Sequence, residues 1–156
     1  MTTKPLSEDL RGALVVAVDD SAAAREALRY AAAMAKDTGR PLQVVTVWNF
    51  VRGPAPADHP DGTPSEAKWQ AEAERRLQEL VTEELGETPG FEVQSRALHG
   101  NTVPVLLSVT ELVQHLVVGS RGRGGFTGLL LGSTTEQLMH YAHSPVTVVR
   151  QGSTGH

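Results

Sequence analysis

The residues with the most chemistry to offer lie between Gly119 and Thr134, in the run Gly-Ser-Arg-Gly-Arg-Gly-Gly-Phe-Thr-Gly-Leu-Leu-Leu-Gly-Ser-Thr. Gly119, Gly122, Gly124, Gly125, Gly128 and Gly132 allow backbone conformations closed to other residues and a close approach to a ligand. Successive N–H groups exposed in that way form concave anion-binding nests. Arg121 and Arg123 place positive charge in the same stretch. The run ends at Ser133-Thr134-Thr135-Glu136, which reads as a capping box opening a helix. A helix N-terminus favours a phosphate through its unbonded N–H groups and its dipole. The expected chemistry is therefore polyphosphate binding. Neither G-x-x-x-x-G-K-[ST] nor G-x-G-x-x-G in a first βαβ unit is present, so the cradle is of neither of those kinds.

A second group of interest is Asp19-Asp20-Ser21, directly after the apolar run 13–18. Asp19 is a carboxylate at the C-terminal end of a buried strand, where open parallel sheets bind ligands. Ser21 is read as a helix cap and not as a nucleophile, because no G-x-S-x-G elbow surrounds it. The six histidines suggest no metal site. His140 and His143 lie three apart but lack a third ligand at suitable spacing, His99 and His59 fall in turn and loop positions, and His115 is read as structural. Trp48 and Trp69 are read first as core, with stacking on a base as the alternative.

The elements that must position these groups alternate. Ala13–Val18 and Leu116–Gly119 are short, β-branched and apolar, as buried strands are, and Leu42–Trp48 and Pro145–Arg150 read as two further strands. Phe91–Leu98 alternates in polarity and reads as a strand at a sheet edge. Helical spacing follows Ser21, stopping at Thr38-Gly39-Arg40-Pro41. A second helix is expected after Thr63-Pro64-Ser65-Glu66, with an apolar face of Trp69, Ala73, Leu77, Leu80 and Leu85. A third runs from Asn101 or Thr102 to about Gln114, and a fourth from Ser133 to about His143. Residues 49–62 form a Pro- and Gly-rich loop. Strands alternating with helices imply a doubly wound α/β fold, with a parallel sheet, right-handed crossovers and helices on both faces.

The 156 residues suit one domain, with a core of about 13–150 and a loose arm and tail. Fourteen basic against eighteen acidic residues give a formal net charge of −4, and aromatics are only 4%. That balance argues against nucleic acid as a partner, which needs a basic face and stacking platforms. No cysteine is present, excluding thiol chemistry and disulfides. The start MTTKPLSEDLRG lacks the apolar run of a signal peptide, and no stretch has membrane-spanning length, so a cytoplasmic location without membrane contact is expected.

At these residues the sequence resembles the universal stress protein family. Nucleotide-binding members carry G-x2-G-x9-G-[ST], and this chain has Gly119-x2-Gly122-x9-Gly132-Ser133. VVGSRGRGGFTGLLLGSTTEQLM, the closing SPVTVVR and the opening VVAVDDS extend the resemblance over residues 13–150. It implies a Rossmann-like five-stranded sheet of order 3-2-1-4-5, with ATP across strands one and four. AMP or cyclic AMP are the alternative ligands, and Mg²⁺ is the metal that would accompany the nucleotide. The residue matching Asp19 approaches the phosphates or their metal, and the one matching Val47 meets adenine through its backbone. Those matching Gly119, Gly122, Gly132, Ser133 and Thr134 hold ribose and phosphates. Ala17, Ser21, Val118, Arg121 and Arg123 complete the expected nucleotide-binding set, with no catalytic residue among them. The resemblance also implies a homodimer through the last strand, Val146–Val149, which would otherwise be an exposed apolar edge. Asp20 departs from the family, which usually has Gly there. The function expected is a stress-response regulatory module that binds ATP. The alternatives are a slow ATPase or other ATP-using enzyme, and a ligand-free interaction protein. H-x-G-H and S-G-G-x-D-S, the marks of adenylating enzymes of this topology, are absent after the first strand, and no lysine or general base accompanies the glycine loop.

Overall fold

The computed structural model describes residues 10–49, 60, 62, 65–121 and 131–151. Within them five strands alternate with four helices: β1 (Leu14–Ala17), α1 (Ala22–Thr38), β2 (Leu42–Trp48), α2 (Glu66–Leu85), β3 (Val93–His99), α3 (Thr102–Thr110), β4 (His115–Gly119), α4 (Ser133–Tyr141) and β5 (Val146–Val149). All neighbouring strands pair in parallel, in the order β3-β2-β1-β4-β5. β3, the strand with the alternating sequence, is indeed an edge.

The period of two along each strand divides the core into two layers. Leu14, Val16 and Val18 point to one face with Leu42, Val44 and Val117, where Ala27, Leu28, Ala31 and Ala35 of α1 and Leu77, Leu80 and Val81 of α2 cover them. Val15, Val45, Leu116 and Val118 point to the other, under Leu106 and Val109 of α3 and Leu138 of α4. Small residues on α1 let that helix lie close to the sheet, and Gly39 in the left-handed conformation (φ 69°) ends it.

Several boundaries differ from the sequence expectation. The cap of α2 is Ser65, whose hydroxyl accepts from the Lys68 N–H at 3.2 Å, two residues beyond the expected cap Thr63. α3 stops at Thr110, four residues short of Gln114. The chain must turn there so that the Gln114 N–H can donate to the Ala13 carbonyl at 3.0 Å and start β4 beside β1. α4 ends at Tyr141, with Ala142 extended, instead of near His143.

His115 opens β4, and its Nε2 lies 2.6 Å from the Thr147 hydroxyl on β5. Burial, with the nearby Arg40 charge, holds its pKa below the usual 6.5. Below about pH 6.5 the unfolded chain therefore binds a proton that the folded chain resists, and stability falls as pH drops. Chemical denaturation at about pH 7.5 and about pH 5.5 is expected to show a smaller loss on acidification for His115→Gln than for wild type.

Candidate functional site

The C-terminal ends of β1, β2 and β4 meet around an open cavity of about 760 Å³. Ala17, Val18 and Asp19 contribute from β1 and the turn after it, Val47 and Trp48 from β2, and Val118, Gly119 and Arg121 from β4 and its exit. Thr134 and Thr135 close it from the first turn of α4.

Each wall is fixed by local chemistry. After β1 the Ser21 N–H donates to Asp19 Oδ1 at 2.9 Å, which turns the chain, and the Ser21 hydroxyl caps α1 by accepting from the Ala24 N–H at 3.2 Å. That hydroxyl also lies 3.4 Å from the Arg121 carbonyl, as its donor, tying the β1–α1 turn to the segment leaving β4. At the end of β4 there is no room for a side chain: a Cβ on Gly119 would meet the Ala23 carbonyl carbon at 2.8 Å and its oxygen at 2.9 Å. The close approach of strand and helix demands glycine there.

The return from the glycine loop is pinned by the Gly132 N–H, which donates to the Ser120 carbonyl at 2.7 Å. The Thr135 hydroxyl donates to the Gly119 carbonyl at 2.8 Å. Gly132, not Ser133, is the N-cap of α4, and a glycine offers no side chain to cap the first turn. Ser133 is the first helical residue. The expected capping box is thus displaced by one residue, and the cap that would have satisfied an N-terminal N–H from a hydroxyl is missing.

The backbone of β2 carries a further polar edge. The Val45 carbonyl accepts from the Val18 N–H at 2.8 Å on the β1 side, while the Trp48 carbonyl accepts from the Gly100 N–H at 2.9 Å on the β3 side. Alternation places Val47 with Val45. Val47 therefore aims its N–H and C=O toward the β1 side, past the end of that strand at Ala17.

Of the expected set, Ala17, Asp19, Val47, Val118, Gly119, Arg121 and Thr134 line the cavity. Ser21, Gly132 and Ser133 support its walls from the adjoining turns. Gly122 and Arg123 lie outside the described residues. Arg25 and Arg76 also line it and were not expected. Arg25 is held by Glu83 at 3.0 Å and Glu84 at 2.9 Å, and these carboxylates raise its pKa. Arg76 Nε lies 3.0 Å from Glu72, whose carboxyl is pulled down to about 2 chiefly by its hydrogen bond with Arg75. The signal for Arg25 was its place in the first turn of the helix that follows β1, at the end of the sheet where ligands bind; Arg76 lies mid-way along α2 and carried no such signal. No cluster of three or more metal-ligating side chains occurs among the described residues. No helix among them is long and apolar enough to cross a membrane.

Residues 11–150 match the model of the Universal stress protein family. A universal stress protein of Mycolicibacterium smegmatis is 35% identical over 138 residues, covering 87% of this chain and 47% of that protein. The chain spans about half the length of the curated relatives it matches. Among solved structures, a universal stress protein in complex with cAMP shares the fold with a TM-score of 0.64 and 20% identity, over 92% of this chain and 99% of its own. One from Archaeoglobus fulgidus in complex with dAMP has a TM-score of 0.61 and 23% identity, over 90% and 98%.

Proposed function

This chain belongs to the universal stress protein family, and from that premise we propose that its strand-end cavity binds an adenine nucleotide, ATP in particular, and that the protein acts as a stress-response regulatory module. The observation that carries the reading is the pairing of two features in one cavity: the outward backbone edge of Val47 and the glycine-capped start of α4. Adenine offers an amino donor beside a ring-nitrogen acceptor. A backbone C=O and N–H complement that pattern, whereas guanine presents the opposite order. Phosphates then fall toward Thr134 and Arg121, where the helix dipole, exposed N–H groups and a guanidinium favour negative charge. The cAMP and dAMP bound by two proteins of this fold support the same class of ligand.

Asp19 and Asp20 both line the cavity. One or two carboxylates with substrate phosphates suit Mg²⁺. Mg²⁺ would enter with the nucleotide, and there it would offset repulsion between these carboxylates and the phosphates. Occupancy would be transmitted through the Ser21–Arg121 link to α1, in keeping with a regulatory role.

The test is to denature natively purified protein and identify what it releases by mass spectrometry. Adenine nucleotides are expected, and reloading the stripped protein with ATP should restore them. A released guanine nucleotide, or failure of the stripped protein to take up ATP, contradicts the reading.

The homodimer belongs to this proposal too. Pro145 and Val149 bond β4 through their carbonyls, so Val146 and Val148 aim their backbone groups outward from the sheet edge. Val148→Pro removes an outward N–H while sparing the bonds to β4. Sedimentation velocity is expected to show a dimer for wild type and a shift to monomer for this variant.

A further inference from the structure

The cavity does not stop at the adenylate side. It is lined by residues of both core layers: Val47, Val118 and Leu106 from the α3/α4 face, and Ala24, Leu77 and Leu80 from the α1/α2 face. It therefore passes over the strand ends from one side of the sheet to the other. On the far side stands Trp48, whose side chain lies on the face opposite to Val47 because the two are adjacent in β2. The indole is fixed before any ligand arrives. It stacks on the His99 ring with centroids 4.2 Å apart, and its N–H donates to Gln70 of α2. Ala73, Leu77 and Leu80 continue the wall as an apolar stripe at helical spacing.

We propose that this far lobe is a second subsite that takes a planar ring, so that the whole cavity accommodates a dinucleoside phosphate with one adenylate against Val47 and its second base on Trp48. The proposal rests on the adenylate reading of the Val47 side. The bridge would cross a lining that carries charges of both signs. Asp19, Asp20, Glu79 and Glu83 face the cavity with Arg25, Arg76 and Arg121, and Arg25 is already engaged by Glu83 and Glu84. Arg76 is likewise held by Glu72, and charges of both signs thus flank the strand ends between Val47 and Trp48, where a bridge of two phosphates joining the two bases would cross.

Calorimetry with AMP and with diadenosine diphosphate on the same protein tests this. One base stacked on an aromatic side chain supplies enough for the dinucleoside to bind about tenfold more tightly than AMP. That ratio should fall to near one in Trp48→Ala and persist in Trp48→Phe. In a Trp69→Phe background Trp48 is the sole tryptophan, and its fluorescence should respond to the dinucleoside and much less to AMP. Equal affinities for the two probes in wild type, or a ratio unchanged in Trp48→Ala, overturn the second subsite alone. Failure of AMP and ATP to bind at all overturns the adenylate reading and the subsite with it.

Discussion

Gly119→Val is expected to destabilise the protein by about 3 kcal/mol, the upper range for forcing atoms into a filled space. The reason is backbone contact. The first added atom would lie 2.8 Å from the Ala23 carbonyl carbon and 3.0 Å from the Ala24 nitrogen, and neither can swing away as a side chain can. Relief requires α1 to move from the sheet, and α1 carries Ala27, Leu28, Ala31 and Ala35 into the core. Gly119→Ala already meets the contact and is expected to lose about 1–2 kcal/mol, the reverse of the gain usual when glycine leaves a strand. For a domain of this size the valine change corresponds to a fall of roughly 6–12 °C in melting temperature, measurable by calorimetry or circular dichroism. A melting point equal to wild type for both variants would contradict the packing described. The first glycine of the spaced motif thus answers to strand–helix contact.

Thr134→Glu should do the opposite to stability and more to binding. Thr134 is the second residue of α4 and lines the cavity. A carboxylate in a first helical turn favours the helix by about 0.3–1 kcal/mol. The same charge stands where the nucleotide phosphates are proposed to lie, and like charges in a partly desolvated site repel strongly. ATP affinity is expected to fall by about a hundredfold or more, equal to about 2.7 kcal/mol, while the melting temperature holds or rises. A helix start that served only the fold would give the stability result with no loss of binding. Retention of ATP affinity within about threefold would remove α4 from the proposed site.

How much of this was legible in the sequence depended on the range of the forces involved. β2 falls at Leu42–Trp48 as expected, because a β-branched apolar run is a local signal. α1 stops at Gly39 because the chain there needs a left-handed residue. The edge position of β3 followed from its alternating polarity. The strand order followed only from the resemblance to a known family, since no periodicity tells a strand which neighbour it will find. The caps were misplaced by one or two residues at Gly132 and Ser65, where two hydroxyl or glycine candidates stood side by side. At α4 only the tertiary bonds that hold Gly132 to Ser120 and Thr135 to Gly119 choose between them. Gly119 and Asp19 were singled out from the residues themselves and Val47 only through the family resemblance, and all three line one cavity. Arg25 and Arg76 were not singled out, because they reach the cavity from two different helices packed on one face, with β2 lying between those helices in the chain. Trp48 was assigned first to the core, and its place on the cavity wall emerges only once α2 supplies Gln70 and β3 supplies His99.

In the proposed function one cavity reads adenine through the Val47 backbone and phosphates through the start of α4. The most direct measurement is isothermal titration of nucleotide-stripped protein with ATP and then with GTP, both with Mg²⁺. Saturable binding of ATP at one site per chain is expected, with at least about tenfold weaker binding of GTP, the cost of opposing a paired donor and acceptor. Flat traces for both nucleotides, or equal affinity for the two, would contradict it.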